Sequence, residues 1–275
     1  MQELRGKTAV VIGAGSGIGR GISLGLAAEG MRVVIADIDV SSATAVRQEL
    51  HSKGGSSLAA SVDATDRDSL EALASLAASQ FGEVNLMVNT VGAIVDRPLE
   101  RTTEEDWAWL IELNLMAQVR SVDVFLPRLR RASDWAHIVT TSSMGGLVAL
   151  PPEHSRGFHA GIYATTKHAL VAYSEMLRME LAAEGIGVSV LCPTHVEGNL
   201  QSTSSRNRPA KFGGPIDTST ISAPGVALMP SEAVGPIVVR GLKANRFFIF
   251  THPDAVALVD DRHQQLLADA AFYRQ

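Results

Sequence analysis

One cysteine among 275 residues leaves no intramolecular disulfide and no cysteine-cluster metal site to consider. Basic charge is also scarce. Lys and Arg total 24 against 29 Asp and Glu, a formal charge of −5, so the chain lacks the dense basic surface that nucleic acid or an anionic membrane requires. No apolar run approaches the ~20 residues of a membrane-spanning helix. Charged residues are only 19% and hydrophobic ones 46%, too apolar for a disordered chain. Residues 1–7 lead straight into a strand-like run with no visible signal peptide, so a cytoplasmic protein with neither nucleic-acid nor membrane partner is expected.

What is present is rhythm. Short β-branched runs at 8–12, 33–36, 57–62, 84–89, 136–141, 188–192 and 246–250 alternate with Ala/Leu-rich amphipathic segments at 19–29, 41–53, 69–81, 103–130 and 163–184. Several runs are continuously apolar, as strands buried on both faces are. Asp66 is placed to cap the third helix, Thr103 with Asp106 forms a capping-box pattern, and Gly30 and Gly185 stand where helices should stop. Such alternation predicts an α/β fold: one doubly wound parallel sheet of about seven strands with helices on both faces. No repeat or linker divides residues 1–275, so one domain is expected. Two segments break the rhythm, 150–160 and the Ser/Thr/Pro/Gly-rich 200–225. Both follow strand C-termini, where ligands bind in open α/β sheets, and the second is long enough to form a substrate lid.

Between the first strand and first helix runs Ile12-Gly13-Ala-Gly-Ser16-Gly17-Ile18-Gly19, a Gly-x3-Gly-x-Gly spacing. Glycines there allow a tight turn and close backbone approach to pyrophosphate, while the helix N-terminus attracts the anion. Asp37 closes the second strand, twenty residues beyond Gly17. A carboxylate there accepts hydrogen bonds from ribose hydroxyls and repels a 2′-phosphate. Neither Ser16 nor Ile38 is basic, so NAD is the expected cofactor.

Tyr163 and Lys167 open a predicted helix at i, i+4, which brings their Cβ atoms within about 6 Å. A free phenol titrates near ~10 and is a poor base at neutral pH. A neighbouring Lys⁺ and a positive nicotinamide favour phenolate, which then accepts a hydroxyl proton as hydride departs. A lone Tyr-x3-Lys pair also arises by chance on many amphipathic helices. Here it occurs with Thr140-Thr-Ser-Ser143 at the end of the fifth strand and Asn114 inside the fourth helix.

Taken with the glycine turn and Asp37, these residues resemble the single-domain branch of the short-chain dehydrogenase/reductase family over about residues 6–193. The resemblance implies a Rossmann-type fold with Tyr163 as general base and acid. Lys167 would lower its pKa and hold the nicotinamide ribose, and Ser143 would bond the reacting oxygen. Asn114 would hold a water linking Lys167 to solvent. Gly13, Ser16, Gly17, Ile18 and Gly19 would cradle the pyrophosphate, Asp63 and Ala64 would meet the adenine, Asn89 would support the sheet beside the cofactor, and Val196 would present backbone to the carboxamide. It also implies a homodimer or homotetramer built on helices 103–130 and 163–184, whose Trp107, Trp109, Leu110, Leu170, Met176 and Leu177 exceed what one sheet face can cover.

Departures from the family pattern are specific. Ile12 replaces a structuring Thr, with Thr90 a candidate to restore the hydroxyl. Pro193-Thr194 replaces Pro-Gly, and Gly198 removes a side-chain contact to the carboxamide. An insertion of about seven residues between Ser143 and Tyr163 reshapes the substrate mouth. His154, His159 and His195 fall near the expected pocket, with His154 a candidate substrate contact; their gaps match no metal-ligand spacing. Cys192 reads as a small buried hydrophobe, and Trp107 and Trp109 as core or interface.

The reading is therefore an NAD-dependent oxidoreductase interconverting a secondary alcohol and a ketone. Residues 206–209 and 246–253 resemble a branch containing bacterial aryl-alcohol dehydrogenases, which implies a bulky or aromatic substrate. Two alternatives stay open: an NADPH-type ketoacyl-thioester reductase, against which Asp37 speaks, and a non-catalytic nucleotide-sensing protein on the same fold.

Overall fold

A computed structural model describes residues 2–149, 158–216 and 227–274. Seven strands form one parallel sheet in the order β3-β2-β1-β4-β5-β6-β7: β1 Thr8–Ile12, β2 Arg32–Asp37, β3 Ser57–Ser61, β4 Leu86–Asn89, β5 His137–Thr141, β6 Gly187–Cys192 and β7 Phe248–Phe250. The helices are α1 Gly17–Ala28, α2 Val40–Ser52, α3 Arg67–Phe81, α4 Glu104–Ile111, α5 Ala117–Leu129, α6 Gly161–Leu181, α7 Leu200–Arg206, α8 Val234–Lys243 and α9 Ala257–Phe272. The doubly wound architecture agrees with the expected class.

Every β1 residue is buried, yet alternate residues serve opposite faces. Val10 and Ile12 join the core beneath α3, α5 and α6. Ala9 and Val11 join the one beneath α1, α2 and α8. That is why the run reads as unbroken rather than alternating. Helix punctuation follows the sequence. Asp66 accepts from the Asp68 N–H, Thr103 and Asp106 form a reciprocal capping box, and Gly185 ends its helix in the left-handed region.

Two expectations need correction. The helix expected over 103–130 is interrupted by a π-turn at Glu112–Met116, between α4 and α5. The expected surplus of apolar residues on α4–α6 is smaller than anticipated. Trp109, Leu110, Leu170 and Leu177 are all buried within the chain, leaving Ile111, Met176 and Met179 exposed. The described part of 200–225 carries α7 and a 3-10 turn at Ala210–Phe212. Most of the 150–160 insertion, His154 included, lies outside the described residues. Among the described residues, no helix is long and apolar enough to cross a membrane.

The order β1-β4 reverses the winding direction, leaving a crevice outside the carboxyl ends of these strands. On one face of the sheet α1 packs closely against α8. A Cβ on Gly25 of α1 would stand 2.6 Å from the Gly235 backbone of α8, so the two backbones meet almost directly. Gly25→Ala gains ~1 kcal/mol of helix propensity, but pushing two backbones apart costs about 1–3 kcal/mol. We expect the second effect to win, so calorimetry should show a Tm lowered by several degrees. An unchanged or raised Tm would show that the helices separate without cost.

Candidate active site

The ends of β1, β2, β4, β5 and β6 open onto one cleft of about 300 Å³. Its floor at one end is the 13–19 turn. Gly13 has φ +80° and Gly17 φ +48°, conformations that an L side chain resists. A Cβ on Gly13 would also come within 2.7 Å of the Thr90 hydroxyl. Ser16 caps α1 in an extended conformation, and its side chain takes none of the helix's first N–H groups. Those donors, at the positive end of the helix, form a seat for an anion. The Thr90 hydroxyl lies 3.0 Å from the carbonyls of both Ile12 and Gly13, so β4 supplies the hydroxyl that Ile12 lacks.

Asp37 lines the same cleft. One carboxylate oxygen accepts from the Gly15 N–H at 2.8 Å and the other from the Asp39 N–H at 3.0 Å. Asp39 caps α2, and the hydroxyls of Ser41 and Ser42 hold its pKa down at about 2. The β2 terminus thus brings two carboxyl groups close together. Ile38, Val62, Asp63, Ala64 and Thr65 complete this end. Asp63 itself turns the chain, accepting from the Thr65 N–H at 2.8 Å.

The other end gathers the titratable groups. Lys167 is only 3% exposed, and its Nζ donates to the Thr141 carbonyl at 2.8 Å. Nζ stands 5.6 Å from the Tyr163 ring centre. Burial alone drives the ammonium down to about 7. Burial also raises the Tyr163 phenol above its usual value, while a hydrogen bond with Ser143 pulls the other way. The sequence expectation that Lys167 lowers the phenol pKa is therefore not met by the pair alone. Desolvation disfavours the charged form of both groups, so stabilising phenolate requires a further positive charge in the cleft. Ser143 is oriented by the Gly145 N–H, which donates to its Oγ at 3.1 Å.

Two expected site residues stand behind the cleft wall rather than on it. Asn89 is fully buried, and its amide donates to Ser121 Oγ at 2.8 Å and accepts from Val91 N–H at 2.8 Å, tying β4 to α5. Asn114, in the π-turn, uses both amide protons on the Ala93 carbonyl (2.9 Å) and Thr166 Oγ1 (3.0 Å), while its oxygen accepts from Ala93 N–H at 2.7 Å. It locks the 91–93 segment to α6. Val196 does line the cleft, as do Gly13, Ser16, Gly17, Ile18 and Gly19. His159 is set aside by its backbone, which donates to Asp96, and His195 faces the ring of His252 at 6.5 Å; neither lines the cleft. Cys192 is buried, with its thiol pushed up to about 12. Among the described residues no His/Cys/Asp/Glu group could hold a metal ion.

Trp109 is buried in a core cluster, as the sequence suggested, and it also lines the cleft. It stacks obliquely on Phe212 at 5.4 Å, and Leu113 one turn later joins it in the cleft wall. Leu200, Thr203, Asn207 and Pro209 line the same cleft. The i, i+4 pair Trp109/Leu113 was visible in the sequence, but nothing there told cleft from core. Glycine cradle, ribose-facing carboxylate and Ser/Tyr/Lys cluster share one cavity, so the residues present fit a dinucleotide lying across the switch point.

Comparison with known proteins agrees. The family described as short chain dehydrogenase matches residues 7–209. A 1-deoxy-11-beta-hydroxypentalenate dehydrogenase from Streptomyces exfoliatus is 35% identical, covering 92% of this chain and 86% of that protein. A C alpha-dehydrogenase from Sphingobium sp. is 27% identical over 98% of this chain and 88% of its own. The crystal structure of a short chain dehydrogenase/reductase from Burkholderia phymatum in complex with NAD superposes with a TM-score of 0.88. It shares 30% identity and covers 98% of this chain and 97% of its own. The chain belongs to the short-chain dehydrogenase/reductase family, nicotinamide-dependent oxidoreductases that include dehydrogenases acting on hydroxyl groups.

Proposed function

We propose that this protein oxidises a bulky secondary alcohol to a ketone, reversibly, with NAD as hydride acceptor and residues 1–275 acting as one nucleotide-binding domain. The convergence of Ser143, Tyr163 and Lys167 at one end of a glycine-floored cleft carries this reading. The nicotinamide, when bound, supplies the hydride acceptor and a positive charge. Tyr163 takes the hydroxyl proton, and Ser143 bonds the same oxygen and holds it near the phenol. Lys167 holds the ribose and, when protonated, stabilises the phenolate. Asn114 and Asn89 act through the backbone they fasten, keeping the floor of the cleft rigid.

The substrate class follows from the wall. Trp109, Leu113 and Leu200 give the cleft that holds Tyr163 a broad apolar lining, suited to a ring-bearing alcohol. The hydroxypentalenate and C alpha-dehydrogenases are consistent with that choice. Self-association through the faces that bear Ile111, Met176 and Met179 fits their exposure, and a homodimer or homotetramer is the assembly we infer.

Cofactor choice is tested first. Asp37 beside Asp39 should disfavour a 2′-phosphate, so kcat/KM with NAD should exceed that with NADP by at least about tenfold, or ~1.4 kcal/mol. Asp37→Ser with Ile38→Arg should move the preference toward NADP. Equal or better use of NADP by the wild type would contradict this.

Removing the phenol hydroxyl by Tyr163→Phe should lower kcat at least ~10²-fold while NAD affinity barely changes. Lys167→Met should weaken both, because a ribose ligand and a charge disappear together. Near-normal turnover in Tyr163→Phe would require a different base.

The pH dependence has a definite sign. Oxidation needs phenolate and burial raises the phenol pKa, so kcat/KM for the alcohol at saturating NAD should rise with pH. It should level off below ~10, where added positive charge outweighs burial. A profile flat from neutral to alkaline pH would rule out a titrating phenol.

A further inference from the structure

Arg208 sits between two cleft-lining residues, Asn207 and Pro209, yet turns the opposite way. Its side chain is 3% exposed, and Nη1 lies 2.7 Å from Oδ1 of Asp106, itself 1% exposed. The other Asp106 oxygen accepts from Arg97 at 2.5 Å and from the Thr103 N–H at 3.1 Å. Arg208 Nε donates to the Phe212 carbonyl, closing the 3-10 turn back onto the guanidinium. Phe212 in turn rests on Trp109, and Ser204 Oγ accepts from the Ile94 N–H at 2.9 Å.

A buried ion pair is a weak source of net stability, since desolvation offsets most of its attraction. Its geometry, however, is demanding. Asp106 and Trp109 are three residues apart on α4 and therefore share a face. Whatever fixes Arg208 on Asp106 also fixes its neighbours Asn207 and Pro209 in the lining of the cleft. The chain between α7 and the 3-10 turn has no strand pairing of its own, so side-chain contacts hold it, and this ion pair is the most deeply buried of them.

We propose that the Asp106–Arg208 ion pair is a latch that holds residues 200–213 as the alcohol-side wall, making Arg208 a positioning residue for substrate binding. The substrate part of this inference rests on the dehydrogenase reading above. Arg97 remains beside Asp106 when Arg208 is replaced, so no unpaired buried carboxylate results and Arg208→Met should fold.

The test uses full-length Arg208→Met and Arg208→Lys. Arg208→Met should raise the alcohol KM about tenfold with kcat within about twofold, the pattern of lost uniform binding. NAD affinity, measured by calorimetry without alcohol, should stay unchanged. Tryptic cleavage after Lys211 should accelerate about tenfold as the segment opens locally. Arg208→Lys, which keeps the charge but loses the second donor direction, should fall between. Unchanged KM and cleavage would overturn the latch. So would losses in kcat and NAD affinity as large as the rise in KM, which mark general damage. Should Arg208→Met fail to fold, Arg208→Lys decides alone, and wild-type cleavage kinetics in it would overturn the proposal. A wild type that turns over no alcohol would defeat the dehydrogenase reading instead, leaving the cleavage rates to decide the latch.

Discussion

Burying an amine against a phenol is the constraint on which the rest of the site depends. Lys167 has almost no solvent contact, and its ammonium is correspondingly reluctant to stay charged. The fold tolerates this because the end of β5 meets the first turns of α6. Thr141 offers its carbonyl to Nζ, and Ser142 Oγ donates to the Lys167 carbonyl at 2.9 Å, so amine and backbone are both fastened to one strand end. The opposite wall must be bare for the amine to fit. A side chain at Gly92 would place its Cβ 3.3 Å from Nζ and 3.1 Å from the Asn114 amide oxygen. Asn114 then holds the neighbouring Ala93 by both its N–H and its carbonyl. Sheet order, π-turn and glycine placement thus serve a single buried pair. A site of this kind keeps its proton acceptor dormant until another positive charge arrives.

The two ends of the cleft use electrostatics in opposite ways. At the β2 end, hydrogen-bond donors surround Asp37 and Asp39, and the hydroxyls of Ser41 and Ser42 favour the charged form of Asp39. At the β5 end, desolvation suppresses charge on both members of the Tyr163/Lys167 pair. A dinucleotide spanning the cleft would meet a constant field at its adenosine and a responsive one at its reactive ring. Between them, the turn at 13–19 offers the first N–H groups of α1 and the Ser16 hydroxyl.

Features set by local chemistry were legible in the sequence. The strands showed as β-branched runs, and Asp66, Thr103 with Asp106, and Gly185 marked helix ends by the groups they can satisfy or the φ they can adopt. The Thr90 hydroxyl was anticipated because a missing group at Ile12 demanded a replacement within reach. Features that depend on what packs against what were not legible. Trp109 was an apolar residue on a helix until Phe212 and Pro209 gave it a cleft to face. Asn114 was expected to serve a water; that its amide also fastens Ala93 and Thr166, on elements distant in sequence, was not visible.

The central claim is that Tyr163 is a buried phenol converted to phenolate by charge entering the cleft. Ultraviolet titration of tyrosinate, wild type minus Tyr163→Phe, isolates this one side chain among three tyrosines. Free protein should show Tyr163 titrating above ~10, and saturating NAD should bring it well below that value. A Tyr163 that titrates identically with and without NAD would contradict the account.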